Sequence, residues 1–478
     1  MNAQGLLFRR PYTWAALAGL TLLAGGIRGF RLGEWSLETD EAFTIHDALH
    51  AFEGREAEYA PKFPVGYTLV RWALGSGPVF REVEARWLPA LAGTLTVPAA
   101  AIAFAPIVGG GASLLGALGL ALAPWHVYWS QYARYYAFLV LFVVVFLGCF
   151  HHALERRHVG AFLAALAALA LAVGTHATAG FLLPALLPFL LLAARPLPLR
   201  GREGRRLGLR AGIAGLGVLA LLAVGAFVFP EAFTRHFLRK PGASPGLYAG
   251  TLAYWARPPL LAAAAIAAAF GVARRERGIL YLALASFGPI VLAAGAAFRV
   301  RANAQYVVFT IPVLFALAGW GVVQVSRRAG PWLGAGLLAA VGADLLGELA
   351  LYYGPFRGHR PAWKEASAFV WRHAGPEDLL VSTQAPIVDF YLRPGATQLR
   401  RPGRVYLLSG YVEEDFERAR HRAPRVWYVL GDADLEDWPA DMRGLFLARL
   451  REEARLVAEW KLQIATDDLT VKVYREDL

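Results

Sequence analysis

Charged residues are almost absent from long stretches of this 478-residue sequence. Only 18% of the residues are charged and 57% are hydrophobic, and the charge-poor stretches include 159–174, 181–194, 211–229 and 260–273. A helix in a large soluble protein would carry a polar face at a period of about 3.6 residues. These stretches are apolar on every side, and a helix needs about 20 apolar residues to cross a bilayer core. The sequence therefore predicts an integral membrane protein rather than a soluble enzyme.

Cysteine is nearly missing as well. The one cysteine, Cys149, lies inside an apolar run, so an internal disulfide is excluded. Arg9 and Arg10 precede an apolar run, as in a signal peptide, but no clear small-residue cleavage site follows. We therefore expect this run to be a retained membrane helix.

Basic residues outnumber acidic ones, and the net charge of +12 could indicate binding to nucleic acid. The arginines, however, cluster in short breaks between the apolar runs: Arg9 and Arg10; Arg156 and Arg157; Arg195, Arg200, Arg202, Arg205, Arg206 and Arg210; Arg274, Arg275 and Arg277; Arg327 and Arg328. Cytoplasmic loops of membrane proteins collect Lys and Arg. The charge distribution therefore indicates membrane topology, and no nucleic-acid partner is expected.

These clusters fix a predicted topology of about eleven spans that begins with the N-terminus in the cytoplasm. The predicted spans are about 12–30, 87–108, 112–125, 135–153, 159–174, 178–194, 211–229, 258–273, 279–297, 306–323 and 332–350. Every cluster then lies on the same side, whereas one missed span would move half of them across. The prediction is a multi-pass α-helical protein of the cell (inner or plasma) membrane, with a transmembrane domain over 1–355 and a long first outer loop over 31–86.

The composition changes to charged and mixed after the last span. Pro361–His373 has the pattern of an amphipathic helix and Asp378–Thr383 that of a strand. Helical and strand-like runs then alternate: Val412–His421, Arg425–Leu430, Met442–Ala454, Leu456–Leu462 and Leu469–Tyr474. We expect residues 356–478 to form a small extracytoplasmic α/β domain.

Four polar motifs stand in or beside the predicted outer loops. They are Trp35-Ser-Leu-Glu-Thr-Asp40-Glu41; Pro61-Lys62-Phe-Pro64; Arg86-Trp-Leu-Pro89-Ala-Leu-Ala-Gly93; and Ser130-Gln131-Tyr132-Ala133-Arg134-Tyr135-Tyr136. In this order and spacing the chain resembles the GT-C superfamily of polytopic glycosyltransferases. The resemblance is to the branch that contains protein O-mannosyltransferases and the aminoarabinose transferase of lipid A, and it covers about residues 12–194 well and the later spans loosely.

This resemblance implies transfer of a sugar from a polyprenyl-phosphate donor to an acceptor hydroxyl outside the cytoplasm, with inversion. Phosphate leaves without a proton, so the paired carboxylates of glycosidases are not needed. The reaction needs one base for the hydroxyl and cations for the departing phosphate. Asp40 matches the family's catalytic acid and is expected to be the general base. Glu41, about 100° away on a helix, is expected to orient a partner or the acceptor.

Four cations are candidates to bind the donor phosphate. Lys62 stands near the Lys or His of the family's proline element, and Arg134 matches its Ala-Arg. Arg134 could instead reach lipid headgroups, and Arg86 is as readily a structural contact at the start of span two. Arg301, together with Arg299 just upstream, could supply the charge of a family arginine that is replaced here by Gln305.

No residue pattern indicates a metal or another cofactor, although a divalent metal is possible. Tyr132 stands where many relatives have an acid, which places a second acid or metal site there in doubt. His126 and His176 have no carboxylate at ligand spacing, so polar packing is expected. Asp344 and Glu348, one turn apart in the last span, are candidates for function or for a solvated interface.

Two other function classes compete with the transferase. A transporter or flippase of lipid-linked sugars would need charges deep in the bundle and often shows repeated halves, and neither is clear here. A membrane-anchored binding protein would not need so many spans. The sugar stays open, as does the acceptor, which could be a glycan, a lipid or a protein.

Overall fold

The computed structural model describes residues 11–52, 63–75, 81–193, 243–392, 405–407, 420–421, 423–436, 440–464 and 467–478. Lys62, the predicted span 211–229, the arginine cluster 195–210 and most of the predicted helix Val412–His421 lie outside these residues.

Up to Tyr353 the described chain is helical. The helices are α1 (Pro11–Gly29), α2 (Thr39–Phe52), α3 (Pro64–Leu74), α4 (Glu82–Val108), α5 (Gly110–Leu122), α6 (Pro124–Ser130), α7 (Tyr136–Arg156), α8 (Val159–Thr175), α9 (Leu182–Ala193), α10 (Pro245–Ala256), α11 (Pro258–Ala273), α12 (Arg277–Ala297), α13 (Ile311–Arg328) and α14 (Pro331–Tyr353). Short 3₁₀ turns, Ala177–Phe181 and Ala304–Thr310, lead into α9 and α13. Apart from 211–229, each predicted span coincides with one of these helices.

Within the described residues, five helices are long and apolar enough to cross a membrane alone, or up to seven if each bent pair is one span. The shorter apolar helices Val159–Thr175 and Ala177–Leu190 match the predicted hairpin of spans five and six. The chain is therefore a polytopic helical membrane protein, as predicted, and the total of about eleven spans stays a prediction.

Three boundaries differ from the predicted ones. α4 begins at Glu82, inside the predicted outer loop, because the Glu84 side chain accepts a hydrogen bond from the Arg81 N–H, 3.3 Å away. The residues between the predicted spans 112–125 and 135–153 begin as helix α6, which is bent by 61° from α5. Helix α10 lies between the predicted spans 211–229 and 258–273, and it is bent by 90° from α11. Proline follows both bends, and a residue before proline avoids the helical conformation.

Helices α5 and α13 approach each other closely at the centre of the bundle. Among the described helices that are long and apolar enough to cross a membrane alone, α13 with the turn before it is the most buried. Inside the protein, 83% of its apolar stretch is buried. A Cβ atom on Gly319 would lie 2.4 Å from the carbonyl oxygen of Ala112, so only glycine allows this approach. Small residues give membrane helices such close contacts.

The C-terminal residues form a sheet flanked by helices. Its strands are β1 (Leu379–Ser382), β2 (Val405–Leu407), β3 (Arg425–Gly431), β4 (Arg455–Trp460) and β7 (Val471–Asp477), in the order β2-β1-β3-β7-β4. β1 is parallel to β2 and β3, whereas β7 is antiparallel to β3 and β4. The helices are α15 (Trp363–His373), α16 (Ala385–Leu392), α17 (Asp432–Glu436) and α18 (Ala440–Glu453). The α/β prediction is confirmed. The elements β2, α16 and α17 were not predicted, nor was a small hairpin of β5 (Gln463–Ile464) with β6 (Asp467–Asp468).

Helices α15 and α16 pack on the start of the first outer segment. The Tyr391 hydroxyl accepts a hydrogen bond from the Leu37 N–H at 2.6 Å and donates one to Glu82 at 3.0 Å. Lys364 Nζ lies 2.9 Å from the same Glu82 carboxylate. The C-terminal region therefore holds the segment that leads into α2.

Candidate active site

Helix α2 begins with reciprocal hydrogen bonds between two glutamates and the backbone. The Glu38 N–H donates to Glu41 Oε2 at 3.0 Å, and the Asp40 N–H donates to Glu38 Oε2 at 2.9 Å. These bonds satisfy N–H groups at the start of the helix that have no partner within it. Glu38 thus caps the helix, and the Asp40 carboxylate is left for other contacts.

Asp40 faces the outside of this turn and pairs with Arg134. The Asp40 side chain is 46% exposed and that of Arg134 is 13% exposed, and Arg134 Nη1 donates to Asp40 Oδ2. Arg134 also lies over the Tyr135 ring, 5.2 Å from its centre, and its Nη2 is 3.3 Å from the Tyr135 hydroxyl. Two residues predicted from separate motifs are therefore in contact, and this geometry favours a site residue over a lipid anchor for Arg134.

Glu41 faces the opposite way and is fully buried. Its carboxylate accepts hydrogen bonds from Arg86 Nε and Nη2 at 2.8 and 2.7 Å, and from the Ala133 N–H at 2.7 Å. Arg360 Nε lies 3.2 Å away. Burial by itself would raise the pKa of Glu41, but the charges and hydrogen bonds of these partners lower it below the ordinary value. Glu41 is thus an ionised carboxylate held between two arginines.

Arg86 joins Glu41 to the segment before α2. Its Nη1 and Nη2 donate to the carbonyl oxygens of Leu32, Trp35 and Ser36 at 3.2, 3.0 and 2.8 Å. The side chain is 1% exposed. These contacts favour the structural interpretation of Arg86 over direct binding of a phosphate.

Arg360 reaches the same cluster from the C-terminal region and was not predicted. It is 2% exposed and lies over the rings of Tyr128 and Tyr132, at 4.6 and 4.4 Å from their centres. Its Nη1 donates to the Gly358 carbonyl at 3.0 Å. Nothing in the sequence around Arg360 indicates that it packs against a motif more than three hundred residues earlier.

An aromatic cluster lies beside Arg134. His176 stacks on Phe63 and Tyr306, with ring centres 5.1 and 5.8 Å apart, and lies 5.6 Å from Tyr135. The charges of Arg134 and Arg301 both act on the Tyr306 hydroxyl. Arg301 itself is exposed. This arrangement brings the predicted Arg301 to the same side of the bundle as the Asp40–Arg134 pair.

The remaining polar residues singled out in the sequence have protein partners. His126 Nδ1 is 2.6 Å from Nη2 of the buried Arg28. Asp344 accepts hydrogen bonds from Arg257 at 2.8 and 3.1 Å, and Glu348 lies 3.2 Å from the same guanidinium. The part of the chain that the structure describes contains no group of three or more His, Cys, Asp or Glu residues arranged to hold a metal ion.

Comparison with known proteins finds similarity to one protein family. The family model described as dolichyl-phosphate-mannose-protein mannosyltransferase matches residues 77–203. A comparison with curated proteins finds no match.

Solved structures resemble the whole chain. The structure of ArnT from Cupriavidus metallidurans bound to undecaprenyl phosphate has a TM-score of 0.55 at 15% identity and covers 98% of both chains. The apo state of ArnT gives a TM-score of 0.56 at 16% identity, over 96% of this chain and 97% of that one. An Archaeoglobus fulgidus oligosaccharyltransferase in complex with Zn and sulfate has a TM-score of 0.52 at 11% identity. The match covers 86% of this chain and 67% of that one. The chain therefore has the GT-C fold, and the resemblance predicted from the motifs is confirmed.

Proposed function

We propose that this protein is a membrane glycosyltransferase that moves a sugar from a polyprenyl-phosphate donor to an acceptor hydroxyl, with inversion. The observation that carries the proposal is the contact between Asp40 and Arg134. It joins a half-exposed carboxylate to a guanidinium from a second motif, on a GT-C fold. The match to the mannosyltransferase model and the likeness to an ArnT structure that contains undecaprenyl phosphate support the same reaction class.

In this mechanism Asp40 is the general base. Its carboxylate takes the proton of the acceptor hydroxyl as the oxygen attacks the anomeric carbon of the donor sugar. The new carbon–oxygen bond forms on the face opposite the phosphate. The bond between the anomeric carbon and the phosphate oxygen breaks, and its electron pair leaves with the phosphate. Attack from the opposite face inverts the anomeric configuration. Free polyprenyl phosphate, the glycosylated acceptor and a protonated Asp40 are the products.

Cations stabilise the charge that develops on the departing phosphate. Arg134 is suited to this role because its Nε, which is buried, has no hydrogen-bond partner in the described residues. Arg301 and Lys62 are proposed to assist. Glu41 acts as a positioning residue that holds the start of α2 through Arg86 and Arg360.

The reaction is proposed to take place outside the cytoplasm. The arginine clusters favour a cytoplasmic N-terminus and an odd number of spans, which leaves the site and residues 356–478 on the outer side. Residues 1–355 would then form the transmembrane domain, and the soluble domain would cover the segment that carries Asp40.

A donor panel tests the proposal. Purified protein is incubated with undecaprenyl- and dolichyl-phosphate hexoses and pentoses and with glycan, lipid and peptide acceptors, and released polyprenyl phosphate is measured. At least one donor should yield free carrier phosphate and an acceptor product of inverted anomeric configuration. Carrier-linked sugar that crosses vesicle membranes without being cleaved would instead indicate a flippase.

A further inference from the structure

The Glu38 carboxyl group lies beside Asp40 with its oxygens in different surroundings. Oε2 accepts hydrogen bonds from the Tyr132 hydroxyl and from the Asp40 N–H, the latter at 2.9 Å. Within the described residues, no hydrogen bond to Oε1 is formed. Glu38 is not among the site residues predicted from the sequence, and Tyr132 stands where many relatives have an acid. The hydroxyl of Tyr132 therefore meets a carboxyl group that comes from a different segment.

Charges of both signs surround Glu38. Arg360 and Arg134 act on it as cations, Glu41 acts as an anion, and the Asp40 carboxylate is two residues away. Burial raises the pKa of Glu38 above its ordinary value, and the charge of Glu41 acts in the same direction. The Tyr132 hydrogen bond and both arginines oppose this shift without cancelling it.

The occupied oxygen decides where a proton on Glu38 lies. Oε2 already accepts from its donors, so the proton is carried by Oε1. A protonated carboxyl group has one O–H donor, and here that donor has no partner in the described part of the chain. A protonated Glu38 would therefore present a neutral hydrogen-bond donor next to the exposed Asp40–Arg134 pair.

We propose that Glu38 is a further substrate-binding residue whose Oε1 donates a hydrogen bond to a phosphate oxygen of the polyprenyl-phosphate donor. The inference rests on the proposed function. A phosphate is the ligand favoured here because Arg134 and Arg360 supply positive charge beside this group. An ionised Glu38 would add a negative charge beside the phosphate, whereas a protonated Glu38 contributes a donor.

The competing interpretation is that Glu38 only caps α2 through the Asp40 N–H. Glu38→Gln separates the two. Glutamine keeps an oxygen for Tyr132 and the Asp40 N–H, and its amide nitrogen donates at every pH. Glu34→Gln is the matched control, because Glu34 lies four residues earlier, is 50% exposed and pairs with Arg31 on the surface.

The experiment measures the Kd of the wild-type protein, of Glu38→Gln and of Glu34→Gln for undecaprenyl phosphate in detergent, from about pH 5 to about pH 8.5. The phosphate itself titrates in this range, so the informative quantity is the ratio of the wild-type Kd to the Glu38→Gln Kd. The ratio should rise about tenfold as the pH increases, because Glu38 loses its proton and its donor. The Glu34→Gln variant should follow the wild type.

Tyr132→Phe provides an independent check, because it should shift the pH dependence of binding rather than abolish it. The Tyr132 hydrogen bond lowers the pKa of Glu38, so its removal should keep Glu38 protonated to higher pH and move the weakening of binding upward. If the wild type binds undecaprenyl phosphate but the ratio of the wild-type Kd to the Glu38→Gln Kd stays constant across the pH range, the inference about Glu38 is wrong and the proposed function is unaffected. No binding of undecaprenyl phosphate by the wild type at any pH overturns the proposed function as well.

Discussion

Asp40 and Glu41 are adjacent acids with opposite surroundings. The first turn of a helix separates neighbouring side chains by about 100°, so one can face solvent while the other faces the core. Asp40 is 46% exposed and contacts one arginine, whereas Glu41 is fully buried between two. A base must reach its substrate, so of these two acids the exposed Asp40 is the one proposed as the base.

Asp40→Asn tests this assignment. Asparagine keeps the size and most hydrogen bonds of aspartate but lacks its basicity, so turnover should fall by about 10²–10⁴ while expression and folding are retained. Because Glu38 accepts the N–H at this turn, the substitution leaves the cap in place. Release of carrier phosphate measures the effect. A variant with nearly normal turnover would move the base elsewhere, and Glu41 would be the next residue to replace.

Arg134→Ala should slow transfer by about an order of magnitude or more, since a charge-assisted contact contributes about 1.5–3 kcal/mol. Lys62→Ala is predicted to do the same, although Lys62 lies outside the described residues. Arg134→Lys is the informative comparison, because lysine keeps the charge but not the planar fork. Initial rates over a range of donor concentration separate binding from turnover. Full activity of both alanine variants would make these residues interface anchors.

At the scale of an element, the start of α2 depends on a buried ion cluster. Glu41 binds Arg86 from α4, the Ala133 N–H before α7 and Arg360 before α15. Buried carboxylates of this kind are costly to leave unpaired, and removal of one partner costs about 3–5 kcal/mol. The cluster therefore ties three distant parts of the chain to the residue next to the proposed base.

Glu41→Gln is predicted to lower the stability of the protein by about 3–5 kcal/mol, measured as a lower Tm in detergent. The pKa of Glu41 is lowered in the folded protein, so its stabilisation is complete above the unfolded pKa of about 4.3 and is lost as the pH falls through the folded value. The Tm difference between wild type and variant should therefore shrink in acid. Glu34→Gln, at a surface pair, should change stability by about 0–1 kcal/mol. Equal Tm values for Glu41→Gln and wild type at neutral pH would contradict the role of the cluster.

At the scale of the whole molecule, residues that follow the last membrane helix contact the segment that carries Asp40 and Glu41. Tyr391 and Lys364 hold Glu82 at the start of α4, and Arg360 enters the Glu41 cluster. A chain that ended after the last span would lack the second arginine beside Glu41. The C-terminal region is thus proposed to complete the site as well as to cover it.

The topology is tested by cysteine labelling in a Cys149→Ser background. Arg327→Cys, at the exposed end of α13, is predicted to be cytoplasmic, and Leu445→Cys, 76% exposed on α18, to be extracytoplasmic. An impermeant thiol reagent added to intact cells should label only the cysteine at 445. Permeabilised cells supply the control, because both positions should then react. The reverse pattern in intact cells would invert the topology.

The sequence alone determined the features that depend on local composition. Apolar runs without charge mark helices that only a bilayer can surround, and the predicted spans within the described residues coincide with helices. The order of the motifs indicated the fold, and the Asp-Glu and Ala-Arg motifs predicted Asp40 and Arg134 as site residues but not their contact. Alternation of helical and strand patterns likewise predicted the sheet region.

Only the tertiary structure decided which side chains meet. Glu41 and Arg360 are more than three hundred residues apart, and no periodicity relates them. No periodicity relates Glu38 to Tyr132, 94 residues later, or Glu82 to Tyr391, 309 residues later. The bends before Pro124 and Pro258 also follow from packing, since proline permits a break without fixing its angle. Local sequence sets which elements form, whereas burial of ionised groups depends on partners that only the folded chain brings together.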